Sequence, residues 1–266
     1  MFLAGLLFLS LILRTMGSKL KFERERNRDL ADALESSRKR INQLERVRST
    51  MIADVAHELR NPLSTMRALT ENALSQEQVL HANQLAVLHG EIRRMSKLIN
   101  DLNQLALAES GHLRLEKTWF SLADLMRDTI EAMAPEAEES GLTLEWRNRS
   151  ASSRLFGDRI RLQQVFVNLL ANAIKYAHER IQVQLDDEDP ATLRITVADD
   201  GIGIDEDDLS RIFDRFYRSS REKDGGLGLG LAIAKEFVNA HGGRIDVYSR
   251  WQEGTRFVVI LPCFRE

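Results

Sequence analysis

The most informative stretch of this 266-residue chain is the run His57-Glu58-Leu59-Arg60-Asn61-Pro62-Leu63-Ser64. It places a carboxylate beside an imidazole and a carboxamide four residues further on, in a segment typical of a helix. A histidine at neutral pH is partly unprotonated and can act as a nucleophile, and Glu58 could take or orient its second ring proton. The same run also fits a surface histidine on an amphipathic helix.

Upstream of this run, residues 18–56 contain neither proline nor glycine. Apolar side chains recur there in alternating steps of four and three, which is typical of a heptad seam. This pattern favours a parallel two-stranded coiled coil that continues into the His57 helix, although a monomeric amphipathic helix is the alternative. Ser37 and Arg48 interrupt the seam, whose apolar members are Leu30, Leu34, Ile41, Leu44, Met51 and Val55.

Downstream, residues 78–109 also carry apolar side chains at helical spacing, and the Ser75-Gln76 region is a candidate turn between the two helices. An isolated helical hairpin would leave one apolar stripe uncovered. Two hairpins would close a four-helix bundle. We therefore expect an antiparallel helical hairpin that forms a dimeric four-helix bundle, so that the chain is a homodimer.

The first thirteen residues carry no charge. As a helix they would span about 20 Å, short of the roughly 30 Å core of a bilayer. We expect them to be the end of a truncated membrane helix; a signal-peptide-like segment and a buried helix are the alternatives. Basic side chains follow at once, which by the positive-inside rule places residues 14–266 in the cytoplasm: Arg14, Lys19, Lys21, Arg24 and Arg26.

The bulk composition is globular, with 43% hydrophobic and 29% charged residues. The net charge of −3 divides into +5 over residues 14–50 and −8 over residues 51–266. This distribution disfavours a polyanion-binding surface, so direct binding of nucleic acid is not expected, and a phosphate would have to be held by local geometry. The single cysteine, Cys263, excludes an intrachain disulfide.

After Ser110-Gly111 the pattern changes to alternating strands and helices. They do not follow a regular strand–helix–strand order, which favours a two-layer α/β sandwich over a Rossmann sheet. The acidic linker 187–190 suits a hairpin between two of the strands. The predicted strands are 113–116, 142–147, 181–186, 192–199, 244–249 and 255–261, and the predicted helices are 121–133, 159–178 and 229–240.

Three motifs in this second half suggest a nucleotide. The run 168–176 puts Asn168 and Asn172 on one helix face, where carboxamide oxygens suit Mg²⁺ and Lys175 could reach a phosphate. In the run 199–204, Asp199 could accept a hydrogen bond from an exocyclic amine beside flexible glycines. The run 225–231, rich in glycine and ending at a helix start, makes an anion site. Each motif alone also fits an ordinary polar helix face or turn.

In order and spacing these runs resemble the five sequence boxes of bacterial two-component sensor histidine kinases. The H box corresponds to residues 57–64, the N box to 168–176 and the first glycine box to 199–204. The F box corresponds to residues 213–218 and the second glycine box to 226–230. The resemblance covers residues 48–264. A related ATPase of the same nucleotide-binding fold, or a non-catalytic signalling scaffold, is the alternative.

The resemblance implies a role for each matching residue. His57 would accept the γ-phosphoryl group of ATP, Glu58 would be its acid/base partner, and Pro62 would bend the helix. Asn61 would help to dephosphorylate a partner response regulator, and Asn172 would ligate Mg²⁺. ATP would be bound by Asn168, Asn172, Lys175, Tyr176, Asp199, Gly201, Gly203, Ile204, Gly226, Leu227, Gly228, Leu229 and Gly230.

The resemblance also implies an organisation. Residues 1–13 would be the membrane end and residues 14–47 a cytoplasmic coiled-coil linker. Residues 48–112 would form the dimerisation and phosphotransfer domain, and residues 113–264 the ATP-binding domain. The expected location is the inner membrane of a bacterium, and the expected partner is the receiver domain of a response regulator.

Overall fold

A computed structural model describes residues 34–39, 41, 45, 52–75, 79–109, 113–151, 153–189, 191–219 and 228–263. The chain divides into two compact units, one ending at His57 and one running from Glu58 to Glu266. The expected membrane segment 1–13 lies outside the described residues. Of the expected linker 14–47, only residues 34–39, 41 and 45 are described, and they are helical and exposed. Within the described ranges, no helix has the length and hydropathy needed to cross a membrane.

A helical hairpin comes first, as predicted. Helix α1 occupies residues 52–75 and α2 spans Ala82–Glu109. Pro62 is buried inside α1 and does not end the helix. On α2, Leu98 and Leu105 are buried, whereas a second apolar row is more than half exposed: Leu85 (52%), Ile92 (54%) and Ile99 (56%). That exposed row is the surface that a second hairpin would cover.

A mixed five-stranded sheet follows, in the order β2-β4-β5-β7-β6, beside a two-stranded antiparallel sheet of β1 and β3. Strand β2 runs parallel to β4, and the other neighbours are antiparallel. The strands are β1 (Thr118–Ser121), β2 (Thr143–Asn148), β3 (Arg154–Gly157), β4 (Arg180–Asp189), β5 (Thr192–Asp199), β6 (Arg244–Arg250) and β7 (Gly254–Pro262).

The helices α3 (Leu122–Glu139), α4 (Arg159–Tyr176) and α6 (Gly230–Ala240) share one apolar core with this sheet. The short α5 spans Glu206–Leu209. Alternate residues of β4 and β5 point into the core, as the period of two requires. Leu105 of α2 belongs to the same core. The predicted two-layer α/β sandwich is confirmed, and its central members include Ile181, Val183, Leu185, Leu193, Ile195, Val197, Phe166 and Phe237.

Some element boundaries were predicted wrongly. Residues 113–117 have no regular structure, and the strand lies at Thr118–Ser121. In that segment the backbone N–H of Glu116 donates to the side chain of Asp158, through Oδ2 at 2.9 Å, and not to a neighbouring strand. Strand β3 and helix α5 were missed because four residues carry too little periodicity. Helix α3 also continues past the predicted end at residue 133, with Pro135 inside it.

A buried polar junction fixes both α4 and α6. Asp158 caps α4, since its Oδ1 accepts from the backbone N–H groups of Ile160 and Arg161, both at 3.1 Å. His241, directly after α6, accepts from the backbone N–H of Asp158 through Nε2 at 2.9 Å. Its Nδ1 therefore carries the proton and donates to the carbonyl oxygen of Phe237 at 2.7 Å. This junction holds the start of α4 against the end of α6.

Candidate active site

The two asparagines of α4 have different surroundings. Asn168 is 8% exposed. Its Nδ2 donates to the carbonyl oxygen of Gly230, the first residue of α6, at 3.0 Å. A Cβ at Gly230 would lie 3.5 Å from Asn168 Cγ, an ordinary contact distance. The fold thus brings the predicted carboxamide helix against the end of the predicted glycine-rich loop.

Asn172 lies one turn further along α4 and is partly exposed. Its side chain makes no hydrogen bond to any residue that the structure describes, so its carboxamide oxygen is available. A neutral oxygen of this kind fits Mg²⁺ that takes its remaining ligands from phosphates and water. The described residues contain no cluster of three or more His, Cys, Asp or Glu side chains that could hold a metal by themselves.

Lys175 and Tyr176 close the α4 end of the site. Lys175 Nζ donates to Tyr176 Oη at 2.8 Å and lies 4.7 Å from the centre of the Tyr176 ring. The Lys175 ammonium group, which was expected to reach a phosphate, therefore contacts the Tyr176 side chain in this conformation. The carbonyl oxygen of Tyr176 accepts from the backbone N–H of Ile202 at 3.3 Å, which ties α4 to the turn after β5.

Asp199 ends β5 and faces this turn. Its Oδ1 accepts from the backbone N–H groups of Gly201 at 3.0 Å and Thr255 at 3.3 Å. Burial raises the pKa of Asp199, and these two hydrogen bonds act in the opposite direction. Its Oδ2 receives no hydrogen bond from the described part of the chain. That oxygen is therefore free to accept from the amine of a base.

The glycines of this turn are required by backbone contacts. A Cβ on Gly201 would lie 2.0 Å from the carbonyl oxygen of Tyr176. Gly203 has φ +68°, and its Cβ would lie 1.9 Å from the carbonyl oxygen of Arg250. Ile204 is held by a hydrogen bond from its backbone N–H to Ser249 Oγ at 2.8 Å. Only glycine allows the turn to pack this closely against β6 and α4.

The second glycine-rich run is described from residue 228 onward, and Gly226 and Leu227 lie outside the described residues. Gly228 has φ +65°, and a Cβ there would lie 2.4 Å from the carbonyl oxygen of Tyr217. Leu229 is buried at 2% exposure. The backbones of Tyr217 and Gly228 therefore lie close together, and a side chain at position 228 would clash there.

Three residues that shape the surroundings of Asp199 were not singled out in the sequence. Gly254, with φ +89°, approaches β5 so closely that a Cβ would lie 2.1 Å from the carbonyl oxygen of Asp199. Thr255 supplies one of the hydrogen bonds to Asp199. Asp200 Oδ1 accepts from three successive backbone N–H groups, at positions 178–180. A glycine directly after the β6–β7 turn was the available signal for the first two.

Desolvation by burial acts to raise the pKa of Asp200, but the backbone hydrogen bonds from Arg180, Glu179 and His178 together outweigh it and lower the pKa. Asp200 therefore stays ionised and fixes the segment between α4 and β4. Its role is structural, whereas the neighbouring Asp199 keeps a free oxygen.

A groove of about 480 Å³ runs along the β6–β7 hairpin. Of the predicted site residues only Asp199 lines it, and no residue of α4 does. The described residues predicted from the motifs, Asp199 excepted, therefore do not lie along this groove.

The predicted catalytic residues lie on α1. His57 and Asn61 are exposed, and Glu58 is half-buried. Glu58 Oε2 accepts from Arg94 Nη2 at 3.1 Å, and Glu58 Oε1 lies 3.9 Å from Arg218 Nη1. An exposed imidazole can be reached by a second reactant, and a fixed carboxylate can take up a proton.

Two family models match the two halves of the chain. The His Kinase A (phospho-acceptor) domain matches residues 47–111, and the "Histidine kinase-, DNA gyrase B-, and HSP90-like ATPase" matches residues 157–265. The chain belongs to the bacterial sensor histidine kinases. The second model is shared by description with DNA gyrase B and HSP90, and the first adds a phospho-acceptor domain to it.

Among curated relatives, the kinase is 34% identical over 227 residues to the signal transduction histidine-protein kinase BaeS of Escherichia coli (strain K12). That match covers 84% of this chain and 48% of BaeS. The chain spans less than half the length of the relatives it matches.

Two solved structures share the fold. Full-length ShkA in complex with AMPPNP has a TM-score of 0.63 at 27% identity, covering 80% of this kinase and 46% of ShkA. Histidine kinase ThkA in complex with response regulator protein TrrA has a TM-score of 0.62 at 24% identity, covering 80% and 61%. At 24% identity the likeness to ThkA shows the fold alone.

Proposed function

We propose that this kinase phosphorylates itself on His57 with ATP and passes the phosphoryl group to an aspartate of a response regulator. One ring nitrogen of His57 forms a bond to the γ-phosphorus, and the bond from that phosphorus to the bridging oxygen breaks. ADP leaves with the electron pair of the broken bond. Glu58 takes up the proton from the other ring nitrogen.

The observation that carries this proposal is the convergence of three separated motifs. Asn168 donates to the carbonyl oxygen of Gly230, and the carbonyl oxygen of Tyr176 accepts from the backbone N–H of Ile202 in the turn that begins at Asp199. These contacts join the carboxamide helix, the aspartate–glycine turn and the glycine-rich loop, as a single nucleotide site requires. The AMPPNP complex of ShkA supports ATP as the nucleotide.

Within this site we assign Asn172 to the Mg²⁺ and phosphate end, because its carboxamide is unoccupied by the described residues. Lys175 would leave the Tyr176 ring to meet a phosphate. Asp199 would read the adenine amine through Oδ2, with Gly201, Gly203 and Ile204 shaping the pocket. The Mg²⁺ ion would neutralise charge on the transferring phosphoryl group. The remaining loop ligands, Gly226 to Gly230, would border the triphosphate.

The proposed partner is the receiver domain of a response regulator, as in the ThkA complex with TrrA. The exposed Asn61 would help to remove the phosphoryl group from that partner. The exposed row Leu85, Ile92 and Ile99 supports a homodimer, because a second hairpin would bury it. For location we propose the inner membrane of a bacterium, reached through residues 1–13, with the domain boundaries near 47 and 112.

Labelling with γ-labelled ATP and Mg²⁺ tests the kinase reaction. Wild type should acquire acid-labile, alkali-stable label, as a phosphohistidine does, and His57→Gln should acquire none. His89→Gln is the matched control, since His89 is an exposed histidine on α2. Equal labelling of wild type and His57→Gln would contradict the proposal.

The phosphatase activity needs a separate experiment. Asn61→Ala should slow dephosphorylation of a cognate phosphorylated receiver while leaving autophosphorylation of His57 intact. An unchanged dephosphorylation rate would remove Asn61 from that role without affecting the kinase proposal.

A further inference from the structure

The Glu58 carboxylate faces a guanidinium on each of its oxygens. Arg94 donates from Nη2 to Oε2 at 3.1 Å, and Arg218 Nη1 lies 3.9 Å from Oε1. The Glu58 side chain is 14% exposed, against 45% for Arg94 and 31% for Arg218. The carboxylate is therefore the most buried group of the three, and Arg94 holds it by the shorter, charge-assisted hydrogen bond.

The Arg94–Glu58 pair differs from the other ion pairs of the hairpin. Arg67 and Glu71 pair within one turn of α1 and are both largely exposed. Arg94 instead reaches from α2 to a half-buried carboxylate 36 residues away in sequence. A glutamate has several rotatable bonds, so a fixed partner on a second helix selects one orientation of its carboxylate.

We infer that Arg94 is a positioning residue for autophosphorylation, acting through Glu58; this inference rests on the proposed function. Arg94 holds Oε2 and thereby fixes the orientation in which the Glu58 carboxylate takes up the imidazole proton. Arg218 faces Oε1 at the longer distance and so holds it less tightly. Glu58 gains the proton that His57 loses as the new nitrogen–phosphorus bond forms, and ADP carries away the electron pair of the broken bond.

The test compares Arg94→Ala with Arg93→Ala in the full chain, by initial rates of labelling over a range of ATP concentrations. Arg93 is the neighbouring exposed arginine on α2 and makes no ion pair within the described part of the chain. Arg94→Ala should lower kcat about tenfold, the cost of roughly one lost orienting interaction. The KM for ATP should stay unchanged, and Arg93→Ala should match wild type.

Two further measurements separate positioning from a merely structural role. Millimolar guanidinium should partly restore kcat of Arg94→Ala and leave Arg93→Ala unchanged. Arg94→Lys keeps the charge without the planar fork and should fall between Arg94→Ala and wild type. Restoration by guanidinium requires a folded protein, so it also shows that the variant has not simply lost its structure.

Equal kcat values for Arg94→Ala and Arg93→Ala would overturn the positioning role. So would a raised KM at unchanged kcat, or a loss of kcat that neither guanidinium nor lysine restores. Wild type without His57-dependent label would instead overturn the proposed function itself. The wild-type and His57→Gln lanes therefore distinguish the two failures.

Discussion

Asn168 donates from Nδ2 to the carbonyl oxygen of Gly230 at 3.0 Å, so a residue in the middle of α4 holds the first residue of α6. Asn172, four residues later, makes no such bond to the described residues. Two chemically identical side chains on one helix face therefore have different roles. The first joins two elements of the fold, and the second remains available to a ligand.

Replacing these two asparagines should separate stability from binding. Asn168→Ala removes a buried hydrogen bond that ties α4 to the start of α6, so the free energy of unfolding should fall by about 0.5–1.5 kcal/mol. Asn172→Ala should change it by less than about 0.5 kcal/mol. Urea unfolding measures both values.

Nucleotide binding by the same two variants can be measured by calorimetric titration with a non-hydrolysable ATP analogue. Asn172→Ala should lose the Mg²⁺-dependent part of its affinity for that analogue. Equal losses of stability in the two variants would contradict the division of roles.

Gly203 and Gly90 form a matched pair for the close backbone contacts of the site. Gly203→Ala would place a Cβ 1.9 Å from the carbonyl oxygen of Arg250 at φ +68°. We expect a loss of more than about 2 kcal/mol in the free energy of unfolding, because neither backbone segment can give way. Gly90→Ala, in the interior of α2 with nothing within 4 Å, should instead gain up to about 1 kcal/mol. Thermal melting of both variants measures whether stability falls in Gly203→Ala and rises in Gly90→Ala. A small loss of stability in Gly203→Ala would argue against this packing.

The sequence predicts well those features that depend on periodicity or on residue type. The apolar spacing of α2 and the alternation in β4 and β5 are long enough to be read directly, and they are found as expected. The motifs around Asn168, Asp199 and Gly228 are likewise recognisable, because only a few residue types suit a phosphate or a base.

Features that depend on partners distant in sequence could not be predicted. Where a strand was expected at 113–116, the backbone N–H of Glu116 donates to Asp158, 42 residues away, and no local pattern predicts that partner. The hydrogen bond from Thr255 to Asp199 joins positions 56 residues apart. The ion pairs of Glu58 with Arg94 and Arg218 also depend on the tertiary fold. Such contacts emerge only when the sheet and the hairpin are packed.

His241 should make stability depend on pH. Burial lowers the pKa of His241 from its usual value of 6.5, and a nearby lysine, Lys117, lowers it further. A lowered pKa in the folded state means that the unfolded state binds the proton more tightly, so this contribution is present above about pH 6.5 and is lost as the pH falls below it. Urea unfolding of wild type between about pH 8 and pH 5 should therefore show falling stability.

His241→Gln should be less stable than wild type at pH 8, because it disturbs the bonds to Asp158 and Phe237, and it should lack the slope near pH 6. His89→Gln, which changes an exposed histidine on α2, should keep the wild-type slope. A slope that persists in His241→Gln would assign the pH dependence to another group.

Asp199→Asn should change which base the site prefers. The asparagine Oδ1 can still accept from the backbone N–H groups of Gly201 and Thr255, so the turn should keep its shape. Burial raises the pKa of Asp199 and the neutral amide keeps the acceptor oxygen, so we expect little change in stability. The amide NH₂ takes the place of the free Oδ2 and meets the adenine amine donor to donor. Affinity for an ATP analogue should fall by about 10- to 100-fold.

A GTP analogue should lose less affinity or gain some, because its O6 accepts hydrogen bonds where adenine donates. Calorimetric titration with both analogues measures this preference. Asp200→Asn is the control, since Asp200 holds three backbone N–H groups and should affect stability but not the choice of base. Equal losses for both nucleotides in Asp199→Asn would show that Asp199 does not contact the base, and the adenine-reading oxygen would then have to be sought elsewhere in the site.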